Sequence, residues 1–300
     1  MEFPSVHYNR KVLLRSNMEK RVLGRTNHRS SIATLGGAVF IYPIETQVGD
    51  QFIKYALDRG VNHIDVAPTY GDAEARLGKW VREYRDDLFV ACKTGKRTKD
   101  EAAKELRSSL ERLQTDRFDL YQFHGLDTKE ELDTVVGENG ALQAFKEAKD
   151  QGIIDHIGIT SHNPENILRA LKLIDLDTIL LPVNYVLCAH PEPTNDFRPV
   201  LSAAEEREIG VIAMKAVAKG PYPGERTRDC WYQPFTEKTE IKEAIRYTLS
   251  QSLTTAATSS DMEIAKMTID AAEEFKPMDR KEQEALIARA ADWKPLFPRD

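Results

Sequence analysis

The chain has 300 residues, of which 41% are hydrophobic and 30% charged, with a formal net charge of −6. That length holds one large α/β barrel or two ordinary domains, and the apolar content is ample for a core. The mild acidity is spread along the chain, which argues for solubility and against a nucleic-acid partner, and the longest apolar runs are strand-sized, which excludes a membrane-spanning helix.

Residues 1–17 carry Arg10, Lys11 and Arg15 without any period and read as an N-terminal extension, with no apolar stretch of the kind a secretory signal needs. The folded domain is taken as residues 18–300. A hairpin-like piece from residue 21 leads into a first strand over 31–35, which ends at Gly36-Gly37. Strands and helices then alternate. Residues 47–59 form a helix closed by Gly60, and 62–65 form a strand. A helix over 72–84 carries Ala73, Leu77, Trp80 and Val81 on one stripe, with Gly78 off it. Strand 88–93 is followed by a helix over 99–113, with Ala103, Leu106, Leu110 and Leu113 in phase. Strand 118–123, helix 139–151 and strand 154–160 come next. Asn163 and Pro164 open a helix over 164–173 as cap and first helical residue. Strand 178–183, helix 199–208 and strand 211–214 lead to a long loop over 216–236, then helix 239–251, a weak strand over 254–257 and helix 261–274.

This alternation predicts an α/β fold, a single (β/α)8 TIM barrel behind a short N-terminal extension and hairpin. A doubly wound sheet is the structural alternative. It calls for a Gly-rich turn after the first strand, and Gly36-Gly37 does not match that pattern. The three cysteines, Cys92, Cys188 and Cys230, show no paired spacing and no CxxC, so no metal site is expected and reduced thiols in a cytoplasmic protein are the simple reading. Cys92 precedes Lys93 on a strand and so faces the helix layer.

Chemistry concentrates where three consecutive strands end. Asp65, Lys93 and His124 lie at those ends, and Tyr70 follows on the loop after Asp65-Val66-Ala67-Pro68. In a barrel these ends share one rim, where active sites sit. The four residue types suit carbonyl reduction by a hydride donor. Tyr70 serves as general acid, Lys93 lowers the phenol's pKa, Asp65 holds Lys93 charged, and His124 hydrogen-bonds the carbonyl oxygen and helps to position or protonate it. An Asp–Lys pair inside a barrel can equally be structural. The joint occurrence on three neighbouring strand ends favours chemistry.

With these motifs in place the chain resembles the aldo-keto reductases over roughly residues 18–275. The resemblance is carried by Leu23-Gly24-Arg25-Thr26, Asp65-Val66-Ala67-Pro68-Thr69-Tyr70-Gly71, Lys93-Thr94, Ser108-Ser109-Leu110-Glu111-Arg112-Leu113, Asp119-Leu120-Tyr121-Gln122-Phe123-His124 and Gly158-Ile159-Thr160-Ser161. It implies a (β/α)8 barrel, a nicotinamide cofactor, and Asp65, Tyr70, Lys93 and His124 as the catalytic set. Met214-Lys215 after the seventh strand looks nearest to bacterial and archaeal members, without the C-terminal ferredoxin-like segment that some carry. The resemblance also implies cofactor contacts. Ser161, His162 and Asn184 fall where relatives hold the carboxamide. Met214 falls where many stack a tyrosine on the nicotinamide, and Lys215 falls within reach of the pyrophosphate. Ser259, Ser260 and Lys266 fall near the helix start where relatives bind the adenosine phosphate.

Ser260 with Glu263 also reads as a capping box. Asp261 and Glu263 oppose a 2′-phosphate, and Ile264 stands where relatives carry Arg, so NADP(H) is favoured by family habit alone, with NAD(H) as the alternative. Ala38, Val39 and Phe40 after the first strand, with Trp231 and Tyr232 in the long loop, are expected to line the pocket. Arg226, Arg228 and Asp229 read as solvated loop surface. The expected partner is a small carbonyl or alcohol, with no nucleic acid and no membrane, acting on a monomer or small homo-oligomer. A rival from another class is a cofactor-binding regulatory subunit of the same fold with little turnover.

Overall fold

The computed structural model describes residues 17–298. Apart from Asn17, the extension expected over residues 1–17 lies outside the described residues. The chain opens with an antiparallel hairpin, β1 (Lys20–Val22) and β2 (Arg29–Ser31), and β3 (Ala33–Gly36) then enters the barrel. The single strand expected over 31–35 is therefore two strands. Asn62 pins the bend: its side-chain oxygen accepts from Ser31 N (2.7 Å), and its own N–H donates to Ser31 Oγ (3.1 Å).

The rest follows the predicted alternation closely. In order come α1 (Thr46–Asp58), β4 (His63–Asp65), α2 (Ala73–Tyr84), β5 (Phe89–Thr94), α3 (Lys99–Leu113), β6 (Phe118–Phe123), α4 (Lys129–Val136), α5 (Ala141–Asp150), β7 (Ile154–Thr160), α6 (Pro164–Ala170), β8 (Thr178–Pro182), α7 (Tyr185–Ala189), α8 (Arg198–Glu206), β9 (Gly210–Met214), the short ribbon β10 (Ala218–Gly220) and β11 (Gln233–Pro234), α9 (Lys238–Leu249), β12 (Thr255–Ala257), α10 (Met262–Glu273) and α11 (Arg280–Arg289). Eight parallel strands close the barrel in the order β3-β4-β5-β6-β7-β8-β9-β12. Closure is direct, because β12 pairs in parallel with both β9 and β3, so the doubly wound alternative is excluded.

Five of these elements were not foreseen: α4, α7, the two ribbon strands β10 and β11, and α11. The helix α4 carries a capping box in both directions between Thr128 and Glu131, a signal that Thr128-Lys129-Glu130-Glu131 displays in the sequence. The helix α7 is only five residues long, and the ribbon interrupts the long loop. Among residues of α11 only Leu286 is buried, which leaves no apolar period to read.

Two cores form. Between strands and helices lies a large apolar layer that includes Phe52, Val81, Phe118 and Ile245. Inside the barrel sits a small cluster of Leu23, Phe89, Ala91, Leu120, Leu180 and Ile212, with Met214 packed at its upper edge. Leu23 comes from the hairpin, which caps the barrel floor. Two glycines permit close approaches. A Cβ on Gly78 would meet Arg112 O at 2.5 Å, so Gly78 is the contact between α2 and α3 rather than a flaw off the buried stripe. A Cβ on Gly158 would meet Thr178 Oγ1 at 2.3 Å and Gln122 Cγ at 3.0 Å, inside the barrel just below the rim. Among the described residues no helix is long and apolar enough to cross a membrane.

Candidate active site

Asp65 ends β4, Lys93 is the penultimate residue of β5, and His124 follows β6 directly. Parallel register aligns them: Asp65 pairs with Ala91, and Lys93 with Gln122. Tyr70 comes from the turn before α2, where Tyr70 N donates to Ala67 O (3.0 Å) and folds the phenol back over the rim. All four line one cavity of about 220 Å3 at the C-terminal mouth of the barrel.

Lys93 Nζ donates to Asp65 Oδ2 and to Val66 O, the latter at 3.3 Å. The two side chains are 1% and 5% exposed. A buried ion pair needs its remaining lone pairs satisfied, and Gln122 does so, with Nε2 donating to Asp65 Oδ1 at 2.8 Å. In the sequence Gln122 stood out as part of the motif that ends at His124, and its role in holding the carboxylate was not read. The room for it comes from Gly158 on the neighbouring strand.

The ammonium of Lys93 lies 5.0 Å from the centre of the Tyr70 ring. Tyr70 Oη and His124 Nε2 are 3.5 Å apart, with the two rings edge to face at 87°. Burial pushes the Tyr70 phenol above its ordinary pKa, and Lys93 pulls it only part of the way back. Lys93 acts downward on the phenol, but removal from water outweighs one cation whose field Asp65 partly cancels. Burial also works against the Lys93 ammonium, yet Asp65 overcomes it and raises its pKa. His124 is held down to about 3, by burial first and then by Lys93, with His162, Lys215 and Arg97 adding. It is a neutral imidazole at working pH. As such it can share a hydrogen bond through Nε2.

Of the remaining expected residues, His162, Met214, Lys215, Ser259 and Ser260 line the cavity, as do Ala38, Trp231 and Tyr232. Val39 and Phe40 instead turn into the helix-side core. Ser161 and Asn184 are buried behind the wall. Ser161 Oγ donates to Asp127 Oδ1 (2.8 Å). Asn184 caps α7 by accepting from Leu187 N (3.0 Å), and its amide donates to Lys215 O (3.1 Å). Both therefore shape loops in this structure. Asp127 had no place in the sequence reading. It accepts from His162 N (2.7 Å) and sits 2.9 Å from His162 Nδ1, while His162 Nε2 lies 3.0 Å from Lys215 Nζ. With Nδ1–H held by a carboxylate, Nε2 is left as the acceptor for the ammonium. Although burial opposes it, the contacts from His162 and Ser161 hold the Asp127 carboxyl well below the usual range. Lys266 does not line the cavity. Its ammonium lies 5.8 Å from the ring centre of Tyr55 on α1.

The helix start after β12 also differs from the expected capping box. The cap of α10 is Asp261, which accepts from Glu263 N and Ile264 N, both at 3.1 Å. Ser260 Oγ turns the other way and donates to Asp229 O (2.7 Å) in the long loop. Cys92 is buried towards the helices, 3.5 Å from Glu74 Oε1. Among the described residues no group of three or more His, Cys, Asp or Glu is placed to hold a metal ion.

The cavity suits a nicotinamide ring. It offers a thioether and an indole as flat apolar contacts, a neutral imidazole, an ammonium and two serine positions. Comparison with known proteins agrees. The sequence model described as "Aldo/keto reductase family" matches residues 35–288. The "Uncharacterized oxidoreductase YqkF" of Bacillus subtilis (strain 168) is 29% identical over 217 residues, covering 68% of this chain and 66% of that protein. A second B. subtilis relative, "Aldo-keto reductase YhdN", is 30% identical over 60% of this chain and 55% of its own length. The chain thus spans about half to two thirds of the curated relatives it matches. Among solved structures, the holo form of aldo-keto reductase AKR11C1 from Bacillus halodurans superposes with a TM-score of 0.70 at 23% identity, over 92% of this chain and 97% of that one. The Bombyx mori aldo-keto reductase AKR2E4 in complex with NADP superposes with a TM-score of 0.66 at 20% identity, over 93% and 98%. These structural likenesses are likenesses of fold. With a family match over most of the barrel and a rim that gathers these side chains, the chain belongs to the aldo/keto reductase family.

Proposed function

We propose that this protein is an NAD(P)(H)-dependent oxidoreductase that reduces an aldehyde or ketone, or oxidises the matching alcohol, with Tyr70 as general acid and base. The observation that carries this reading is the buried Lys93–Asp65 pair set against the Tyr70 ring inside a cavity that His124 also lines. A nicotinamide nucleotide, when bound, supplies or accepts the hydride. Everything else falls to the chain. Tyr70 Oη and His124 Nε2 converge on one point of the cavity, where a carbonyl oxygen can take a hydrogen bond from each side. Tyr70 is a neutral phenol at neutral pH and gives its proton to that oxygen as negative charge develops. Lys93, held charged by Asp65, stabilises the phenolate left behind. In the reverse direction the same phenolate takes the alcohol proton. Met214, His162 and Lys215, which line the cavity, would hold the ring and its attached groups. Ser161 and Asn184 act from behind, by fixing the loops that carry them. The NADP complex of the Bombyx mori relative favours NADP(H) as the cofactor.

The test is Tyr70→Phe, assayed with NADPH and a generic aldehyde such as 4-nitrobenzaldehyde. Carbonyl reduction is expected to fall about a hundredfold or more, with cofactor affinity unchanged within a few-fold. Turnover like that of the wild type in this variant would remove Tyr70 as the acid. A wild type that binds cofactor and turns over no carbonyl would remove the activity.

A further inference from the structure

Next to Ser260, outside the active-site cavity, lies a second groove of about 600 Å3, lined by Tyr42, Arg226, Arg228, Asp229, Asp261 and Glu263 among others. Ser260 belongs to the rim of the first space, and its hydroxyl donates to Asp229 O in the wall of the second. The inner cavity, at about 220 Å3, is smaller than the range of pockets that enclose drug-sized ligands, about 300–1,000 Å3. A dinucleotide with its reactive ring at Tyr70 must therefore extend out of it.

The second groove offers a phosphorylated adenosine two guanidinium groups and an aromatic ring, set beside the carboxylates of Asp229, Asp261 and Glu263. The Arg226 guanidinium lies 4.6 Å from the centre of the Tyr42 ring, a flat cationic and aromatic face. Arg228 Nη1 is 2.5 Å from Glu263 Oε2 and 3.9 Å from Asp261 Oδ2. The helix below offers an anion little. Asp261 already occupies the N–H groups of Glu263 and Ile264, Ile264 is fully buried, and Lys266 is turned to Tyr55. Positive charge in this groove thus comes from the loop and not from α10.

Resting on the nicotinamide-nucleotide reading above, we propose that Arg228, with Arg226 beside it, recognises a phosphate monoester on the adenosine end of the cofactor, and that Glu263 holds the Arg228 guanidinium in place as an exchangeable anion. Glu263 is 74% exposed. An ion pair so open to water is worth about 1 kcal/mol or less, so its loss is a small cost. A phosphate monoester carries about −1.5 to −2 charge and three acceptor oxygens, against one charge on the carboxylate. The planar fork of Arg228 suits two of those oxygens at once. Choice between NADP(H) and NAD(H) then becomes a competition for one guanidinium between the ligand's 2′-phosphate and the protein's own Glu263.

The experiment is a binding titration of NADPH and NADH by quenching of tryptophan fluorescence, read on the wild type and on Arg228→Ala, Arg228→Lys, Glu263→Gln and Lys266→Ala. Arg228→Ala is expected to weaken NADPH by about tenfold or more while moving NADH less than about threefold. Arg228→Lys retains part of the NADPH preference. Glu263→Gln tightens NADPH a few-fold and leaves NADH in place, and Lys266→Ala moves neither. Equal weakening of both cofactors by Arg228→Ala would make Arg228 a clasp for the loop and overturn the proposal. So would an Arg228→Ala protein that binds both as the wild type does, or a preference that follows Lys266. A wild type that binds neither dinucleotide overturns the oxidoreductase reading together with this one. Loss confined to the Arg228 discrimination leaves the oxidoreductase reading standing.

Discussion

Lys93 carries two opposed duties, and their balance is measurable. Its ammonium is fully buried, yet Asp65 keeps its pKa above the ordinary lysine value. Its field is the main influence that draws the pKa of the Tyr70 phenol back down against burial. For reduction, kcat/KM is expected to stay level through neutral pH and to decline only where the phenol ionises, above its ordinary pKa of about 10. Lys93→Met removes the cation and so favours the neutral phenol still more. The decline should move to higher pH while the rate below it falls. A pH–rate profile on wild type and variant checks both. A decline that moves to lower pH, or a profile unchanged in rate and position, would leave the pair with a structural part only.

At the scale of elements the active site depends on how closely β7 lets its neighbours approach. Gly158 has no side chain, and Gln122 of β6 and Thr178 of β8 fill the space. Gln122 in turn supplies the hydrogen bond that the inner Asp65 oxygen would otherwise lack. Gly158→Ala places a methyl group 2.3 Å from Thr178 Oγ1 and 3.0 Å from Gln122 Cγ. Overpacking of this kind typically costs about 1–3 kcal/mol. Urea denaturation should show that loss, and kcat should fall with it as Gln122 shifts off Asp65. Gly158→Ala with full stability and full activity would mean that the strands separate freely there, against the packing seen.

The molecule as a whole carries a second group of titratable residues at the floor of the barrel, opposite the active site, with His63 buried and His28 half-buried. His28 stacks on Phe89 with ring centres 4.5 Å apart, and His63 meets the same ring edge-on at 4.9 Å. Burial, helped by Lys20, holds His28 down to about 4, and burial also holds His63 well below its ordinary value. An unfolded histidine titrates near 6.5. The unfolded chain therefore binds more protons than the folded one below that pH, and stability falls as pH drops from about 6.5 towards 4. The shift of His28 alone corresponds to about 2–3 kcal/mol at the acid end of that window. Asp127 and Asp177, both held well below the usual carboxylate range in the fold, keep their contribution through this window and lose it only at lower pH. Chemical denaturation across pH 7 to 4.5 should show the slope, and His28→Phe, which keeps the stack on Phe89, should flatten it. An unchanged slope in that variant would move the cause to His63 or elsewhere.

Much of this was written in local order. Strand and helix periods recur along the chain, the eight βα units closed as predicted, and the residues at three strand ends meet at one rim because parallel register leaves them no other place. Asp65, Lys93 and His124 could be read because strand periodicity and barrel closure together dictate where a strand's last residues go. What the sequence hid depends on contacts between segments far apart. Asp127 meets His162 across 35 positions, Gln122 reaches Asp65 across 57, and Arg228 finds Glu263 across 35. The net direction of the Tyr70 shift was hidden for a related reason: a charge pattern shows that Lys93 is near, but only the packed structure shows how completely water is removed. Periodicity is a property of neighbours along the chain, whereas desolvation and side-chain pairing belong to neighbours in space, and only the closed barrel decides who those are.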